Sequence, residues 1–254
     1  MALVVGCALL LVGLAIAATP AAPARAGEAG ATHAAPWAAA AAEARILADR
    51  ILQRESDALL LEGPRQRTLG HEIKQALSLI RQRYPAMAET TAVDWHEREL
   101  VLELEGALRN AVMGSWSNGE VSTPPHTGHV AFDALNETLS VRVARVWPRI
   151  DSVIIRLGER ANMPAAVPAY EAVNGVVSAY PNYHVGDFPD IETAKVHGTW
   201  HVVFRKAWGD CPSGCIFRVL TFFTVADGEA ALVEPAQARG MAGFAALVAA
   251  RGWR

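Results

Sequence analysis

The chain has 254 residues, 52% of them hydrophobic and 19% charged, which is enough for one or two cored domains and too apolar for a disordered chain. Its 23 Lys and Arg stand against 26 Asp and Glu, a formal charge of −3. The field of the whole molecule therefore exerts no sequence-independent pull on nucleic acid or on anionic lipid.

From Ala2 to Ala18 no residue is charged, and Leu9-Leu10-Leu11-Val12 with Leu14-Ala15-Ile16 form the apolar run of an export signal. Ala24-Arg25-Ala26 before Gly27 fits a cleavage site, and Ala15-Ile16-Ala17 fits one as well. Residues 1–26 are thus expected to be a signal peptide, and the mature chain to be secreted or periplasmic, with no stable membrane span. Cys7 precedes the apolar run rather than following it, which argues against lipidation. Residues 27–42, mostly Ala, Gly and Pro, read as a flexible leader.

Residues 43–61 set Ile46, Leu47, Ile51, Leu52, Leu59 and Leu60 among charges at helical spacing, and Gly63-Pro64 ends the run. A second amphipathic stretch carries Ile73, Leu77 and Ile80 and closes at Tyr84-Pro85. The pair predicts a helical hairpin within residues 43–98, whose apolar stripes need a covering sheet. Leu100 to Leu104 suits a buried strand and is the expected cover. Ser115 to Thr127 reads as a long loop. Phe132, Leu135 and Leu139 mark a helix, Val141–Val146 and Ser152–Leu157 two strands, and Pro164–Val173 a helix capped at Asn174-Gly175. Val176–Tyr180 is the next strand.

Residues 99–183 thus spell strand, helix, strand, strand, helix, strand, the ferredoxin-like order, within an expected domain over 99–186. Thr199–Ala207, Ile216–Val225 and Glu229–Val233 predict a three-stranded antiparallel meander over 187–254, followed by a helix across 236–250. The pattern fits either an extension of the same sheet or a separate layer. The fold class expected is α+β: a ferredoxin-like βαββαβ core, an N-terminal helical hairpin and a C-terminal meander.

The segments Leu100–Leu104, Phe132–Ser140, Val141–Leu157, Met163–Gly175 and Val176–Val185 together resemble the propeptide domain of subtilisin-like secreted peptidases, of the fervidolysin-like kind. Gly175-Val176-Val177 and Tyr180-Pro181-Asn182-Tyr183 stand where that family has its closing turn, strand and Pro-Asn-Tyr element. The resemblance implies a folding template and inhibitor whose tail after that element lies along a peptidase cleft. It makes Tyr180, Pro181, Asn182, Tyr183 and His184 the partner-binding candidates, within a segment running on to Glu192. The partner it implies is an extracellular peptidase or peptide. The chain after Tyr183 carries none of the Asp, His and Ser motifs of a subtilase catalytic domain. The stretch Gly209-Asp210-Cys211-Pro212-Ser213-Gly214-Cys215 is similar to a motif of bacterial secreted proteins.

Cys211 and Cys215 in an oxidising compartment are expected to form one disulfide that pins the hairpin turn; redox exchange or Cu(I) capture is the sharper alternative. His126 and His129 would need His184, Asp187 or Asp190 from another loop to hold zinc. Gly186 to Glu192 concentrates three carboxylates without EF-hand spacing and reads as a solvated turn. There is no G-x-S-x-G, P-loop, G-x-G-x-x-G or H-E-x-x-H motif. No cofactor, metal or catalytic residue is expected, and the chain reads as a non-catalytic binding protein. The alternative is a structural or assembly protein of the cell envelope, and after it a thiol-redox or metal-handling protein using Cys211 and Cys215. Period-2 placement puts Trp200, Val202 and Phe204 on one side of a strand, and His201, Val203 and Arg205 on the other.

Overall fold

The computed structural model describes residues 36–93, 98–116, 126–182, 188–209 and 215–253, all within one compact unit, Ala34–Arg254. Helix α1 (Pro36–Glu55) and helix α2 (Gly63–Arg83) lie against each other. The first helix begins inside the stretch expected to be a leader. Proline fits the first helical position because its missing N–H has no partner there, and the alanines behind it are the strongest helix formers.

The next unit contains strand β1 (Glu99–Leu104), helices α3 (Gly106–Ser115) and α4 (Val130–Thr138), and strands β2 (Arg142–Trp147) and β3 (Ser152–Arg156). Helix α5 (Met163–Glu171) and strand β4 (Val176–Pro181) complete it. The strands order β2-β3-β1-β4, every neighbour antiparallel. Leu100, Leu102 and Leu104 alternate with Glu99, Val101 and Glu103 and point with Val153 and Ile155 into a core closed by Val112, Phe132 and Tyr170 from the three helices. Helix α3 is absent from the sequence reading: Gly106, at φ +58°, hides the helix start behind a residue that normally marks a turn.

Strands β5 (Asp190–Val196), β6 (Thr199–Trp208), β7 (Phe217–Ala226) and β8 (Glu229–Val233) form a separate antiparallel sheet in sequential order. The meander therefore has four strands rather than three and does not extend the first sheet. The expected final helix is two, α6 (Pro235–Arg239) and α7 (Ala242–Ala250), broken at Gly240-Met241.

The helical hairpin covers this second sheet and not the first. Leu47, Ile51, Ile73, Leu77 and Ile80 pack on Trp200, Val202, Phe204 and Phe223. Broad aromatic side chains offer two helices more apolar area than the helix-free side of the first sheet, which carries Glu99, Glu103 and Arg156. Val203, Phe222 and Val233 on the opposite face meet Phe244, Leu247 and Trp253. The alternation expected on β6 is the one found. The second sheet is thus sandwiched between helices, and residues 98–182 are inserted between the hairpin and the sheet it covers.

A narrow joint ties the insert back. Leu60 bridges to Ala161, the Leu61 N–H donates to the Arg160 carbonyl at 2.7 Å, and buried Asn162 donates from Nδ2 to the carbonyls of Ser56 and Ala58. The α1–α2 connection and the β3–α5 loop are thereby held as one piece of irregular chain.

Candidate binding surfaces

All three helices of the inserted unit cover one face of its sheet, and the other face bears two of the partner-binding candidates, Tyr180 and Asn182. On β1, Glu99 and Glu103 point to this helix-free face, two residues from Val101 on either side. Glu99, almost fully buried, accepts from Arg156 Nη2 at 2.6 Å and from Asn182 Nδ2 at 2.8 Å. Glu103 accepts from Ser178 Oγ at 2.9 Å and from Tyr180 Oη at 3.3 Å. Two carboxylates thus fix one register of polar side chains across β3, β1 and β4. Tyr180 is 44% exposed, and partial burial together with the Glu103 carboxylate pushes its phenol up, so it stays a neutral donor with its ring open to solvent. Pro181 pairs with Leu100, and the Asn182 N–H donates to the Glu99 carbonyl. Tyr183 and His184 lie outside the described residues.

β4 is an edge strand whose edge is blunted in three ways. Pro181 has no N–H, the Ala179 N–H is directed at Glu171 Oε1 at 3.4 Å, and the register shifts at Glu103/Leu104. These are the devices that keep a strand from pairing with a foreign one.

Asp190 to Glu192, placed by sequence in a solvated turn and in the exposed partner-binding segment, is instead the buried start of β5. Asp190 and Glu192, two residues apart on a strand, project to one side and meet three arginines. Arg50 Nη1 donates to Asp190 Oδ1 and Glu192 Oε1, both at 3.1 Å, and to the Ile191 carbonyl at 2.7 Å. Arg54 donates to Glu192 Oε2 and to the Thr193 carbonyl, both at 2.9 Å. Arg251, just past α7, pairs with both carboxylates. These carboxylates are occupied by guanidinium groups, which leaves them no role as cation ligands and seals the β5 edge.

The histidine segment is a helix entry. Burial works against ionisation of Asp133, but the Thr127 and Gly128 N–H groups and the Thr127 hydroxyl hold its carboxyl below the ordinary value. His126 sits 3.6 Å from the same carboxylate and is largely exposed, while His129 Nδ1 is buried without a partner. Among the described residues no group of three or more His, Cys, Asp and Glu could hold a metal; His184 and Asp187 lie outside them. Cys215 is buried. Cys211, its expected partner, lies outside the described residues.

The meander aromatics divide. Trp200, Phe204, Phe222 and Phe223 are core, whereas Trp208 and Phe217, cross-strand partners near the end of the β6–β7 pair, are 45% and 54% exposed. Their rings stack with centroids 5.7 Å apart. Beside them a groove of about 500 Å³ runs between Val219 and the 3-10 turn at Pro85–Glu89. Sequence reasoning finds the aromatics but not which of them the helices leave uncovered.

His201 is buried under α7, edge-on to Phe244 with centroids 4.7 Å apart, and its Nδ1 has no partner. Burial pushes its pKa down. The unfolded imidazole protonates near pH 6.5 and the folded one only below that, so the unfolded state binds more protons as pH falls through 6.5. Stability is therefore lost from about pH 6.5 downward, by up to about 1.4 kcal/mol per pH unit. Urea unfolding at pH 7.5 and pH 5.5 is expected to show a smaller acid loss in His201→Gln than in the parent chain; equal losses would place the titrating group elsewhere.

No helix among the described residues is long and apolar enough to cross a membrane. No family model, no curated protein and no solved structure matches the chain.

Proposed function

We propose that the protein is an exported, non-catalytic binding protein whose inserted unit, residues 98–182, is a ferredoxin-like module of the peptidase-propeptide kind. Its strand order and all-antiparallel pairing support the ferredoxin-like reading. The observation that carries the functional reading is the helix-free sheet face, where Glu99 and Glu103 fix Tyr180 and Asn182 in one register and leave the Tyr180 ring exposed. A rigid, half-polar face with one aromatic anchor is what a binding surface needs, since it loses little side-chain freedom on docking. Burial of Asp190 to Glu192 limits any cleft-lying tail to the residues before β5. In the proposal Cys211 and Cys215 are joined and pin the β6–β7 turn, a loop closure of about 2 kcal/mol in the chain-entropy model.

The test is titration of the mature protein into secreted subtilisin-like peptidases while peptide hydrolysis is followed over time. Inhibition is expected, and Tyr180→Ala is expected to weaken it by roughly 10- to 30-fold, the scale of an interface aromatic. Digestion of the protein without inhibition would sink the peptidase reading. A second reading, an envelope assembly module, is favoured by the stacked Trp208 and Phe217; there Trp208→Ala, and not Tyr180→Ala, would abolish co-sedimentation with envelope fractions.

A further inference from the structure

We infer that the cleft between β7 and the two C-terminal helices binds a single-chain amphiphile with an anionic head, of the fatty-acid class. The cleft encloses about 610 Å³, within the range of small-ligand sites. Leu220 and Phe222 form its floor, Phe244 and Val248 one wall, and Trp253 one end. Arg239, on the last turn of α6, is the charged side chain that lines it. No other described residue gives Arg239 a hydrogen bond or ion pair.

The lining decides the chemistry of the occupant. Helix α7 reads Ala242 to Ala250 without a polar side chain. A helix apolar on every side is normally buried on every side. Here Phe244 and Leu247 are covered by the second sheet, while Ala245 and Ala249 stay exposed at the cleft. A sugar or nucleotide would leave its hydroxyls unpaired against such walls, at a cost that an acyl chain does not meet. The floor is β7, paired on both sides by β6 and β8, so an extended peptide would find no free strand edge to join there. The guanidinium at the rim supplies the remaining specificity, since it takes a carboxylate through two parallel N–H···O bonds. The apolar bed and the cation at its rim, which has no partner among the described residues, together describe the two halves of one ligand.

The experiment titrates the purified chain with decanoate and with decanol, both below their aggregation concentrations, and follows tryptophan emission, with Trp253→Phe assigning the signal. Decanoate is expected to bind roughly tenfold more tightly than decanol, the scale of one charge-assisted pair. Arg239→Gln, at an exposed site, should erase that preference and leave decanol binding unchanged. Ala245→Trp, at an exposed position on the wall, should weaken both ligands, with its melting temperature checked against the parent. Equal binding of the two ligands by the parent chain, a preference that survives Arg239→Gln, or binding indifferent to Ala245→Trp overturns the inference. So does a chain that binds neither ligand and is a dimer by light scattering, because a second copy then covers the cleft.

Discussion

Replacing Arg50 with methionine is expected to lower the unfolding free energy by about 3–5 kcal/mol, the scale of breaking a buried ion network by removing one partner. The Arg50 side chain is 5% exposed, and those of Asp190 and Glu192 are 9% and 1%. The guanidinium serves four acceptors at once: both carboxylates and the carbonyls of Ile191 and Val93. Methionine fills much of the volume but donates nothing, so the Ile191 and Val93 carbonyls lose this donor, and Arg54 and Arg251 are the cations left to the two carboxylates among the described residues. Lysine, a single ammonium, cannot reach four acceptors with a fixed fork and should recover less than half of the loss. Arg54, about a third exposed on its side chain, should cost far less. Urea unfolding of Arg50→Met, Arg50→Lys and Arg54→Met at pH 7 ranks the three, and a loss under 1 kcal/mol for Arg50→Met would mean that the network is not what holds β5 to α1.

The same network marks where the sequence is silent. Asp190 and Glu192 look like any acidic turn, because their partners arrive from residues 50, 54 and 251, and no local spacing encodes such distant pairings. For the same reason β5 goes unread: its apolar content is Ile191, Ala194 and Val196 among two carboxylates and a lysine, and its strand character comes from pairing with β6 and from the arginines along its edge. Where a segment's own period fixes its environment, the reading succeeds. Leu100, Leu102 and Leu104 alternate toward one core, Ile73, Leu77 and Ile80 line one helix face, and Trp200, Val202 and Phe204 share one side of β6. What the stripes do not say is which sheet they face. A helical hairpin at the start of the chain can cover the sheet that comes next or the one beyond it, and periodicity is the same in both cases. The choice lies in relative apolar area, a property of two surfaces and not of one. The candidate surface was legible in part: Tyr180 could be placed on a strand by pattern, but that Glu103 holds Tyr180 and Glu99 holds Asn182 is a fact of register between β1 and β4.

Because the insert has its own apolar core, and its described polar contacts with the hairpin are gathered at Glu159 to Asn162, that core should behave as a separate cooperative unit. Phe132 is fully buried, tilted against Trp116 and edge-on to Tyr170 with both centroids 5.8 Å away. Tyr170 in turn donates its hydroxyl to buried Asn136 at 2.8 Å, so the aromatic cluster cannot collapse into a void without straining that bond. Phe132→Ala is accordingly expected to cost about 3–5 kcal/mol. The cost should fall on residues 98–182, since Phe132 has no place in the cores on either face of the second sheet. Native-state hydrogen exchange reads this directly: amides of β1 and β3 should exchange roughly 10²- to 10⁴-fold faster, while those of β6 and β7 keep their protection. Equal acceleration in both sheets would show that the Asn162 joint transmits the loss and that the two cores unfold as one. The distinction bears on the proposed function, because a binding face on an independently folded insert can engage a partner without loosening the sheet that carries the second cleft.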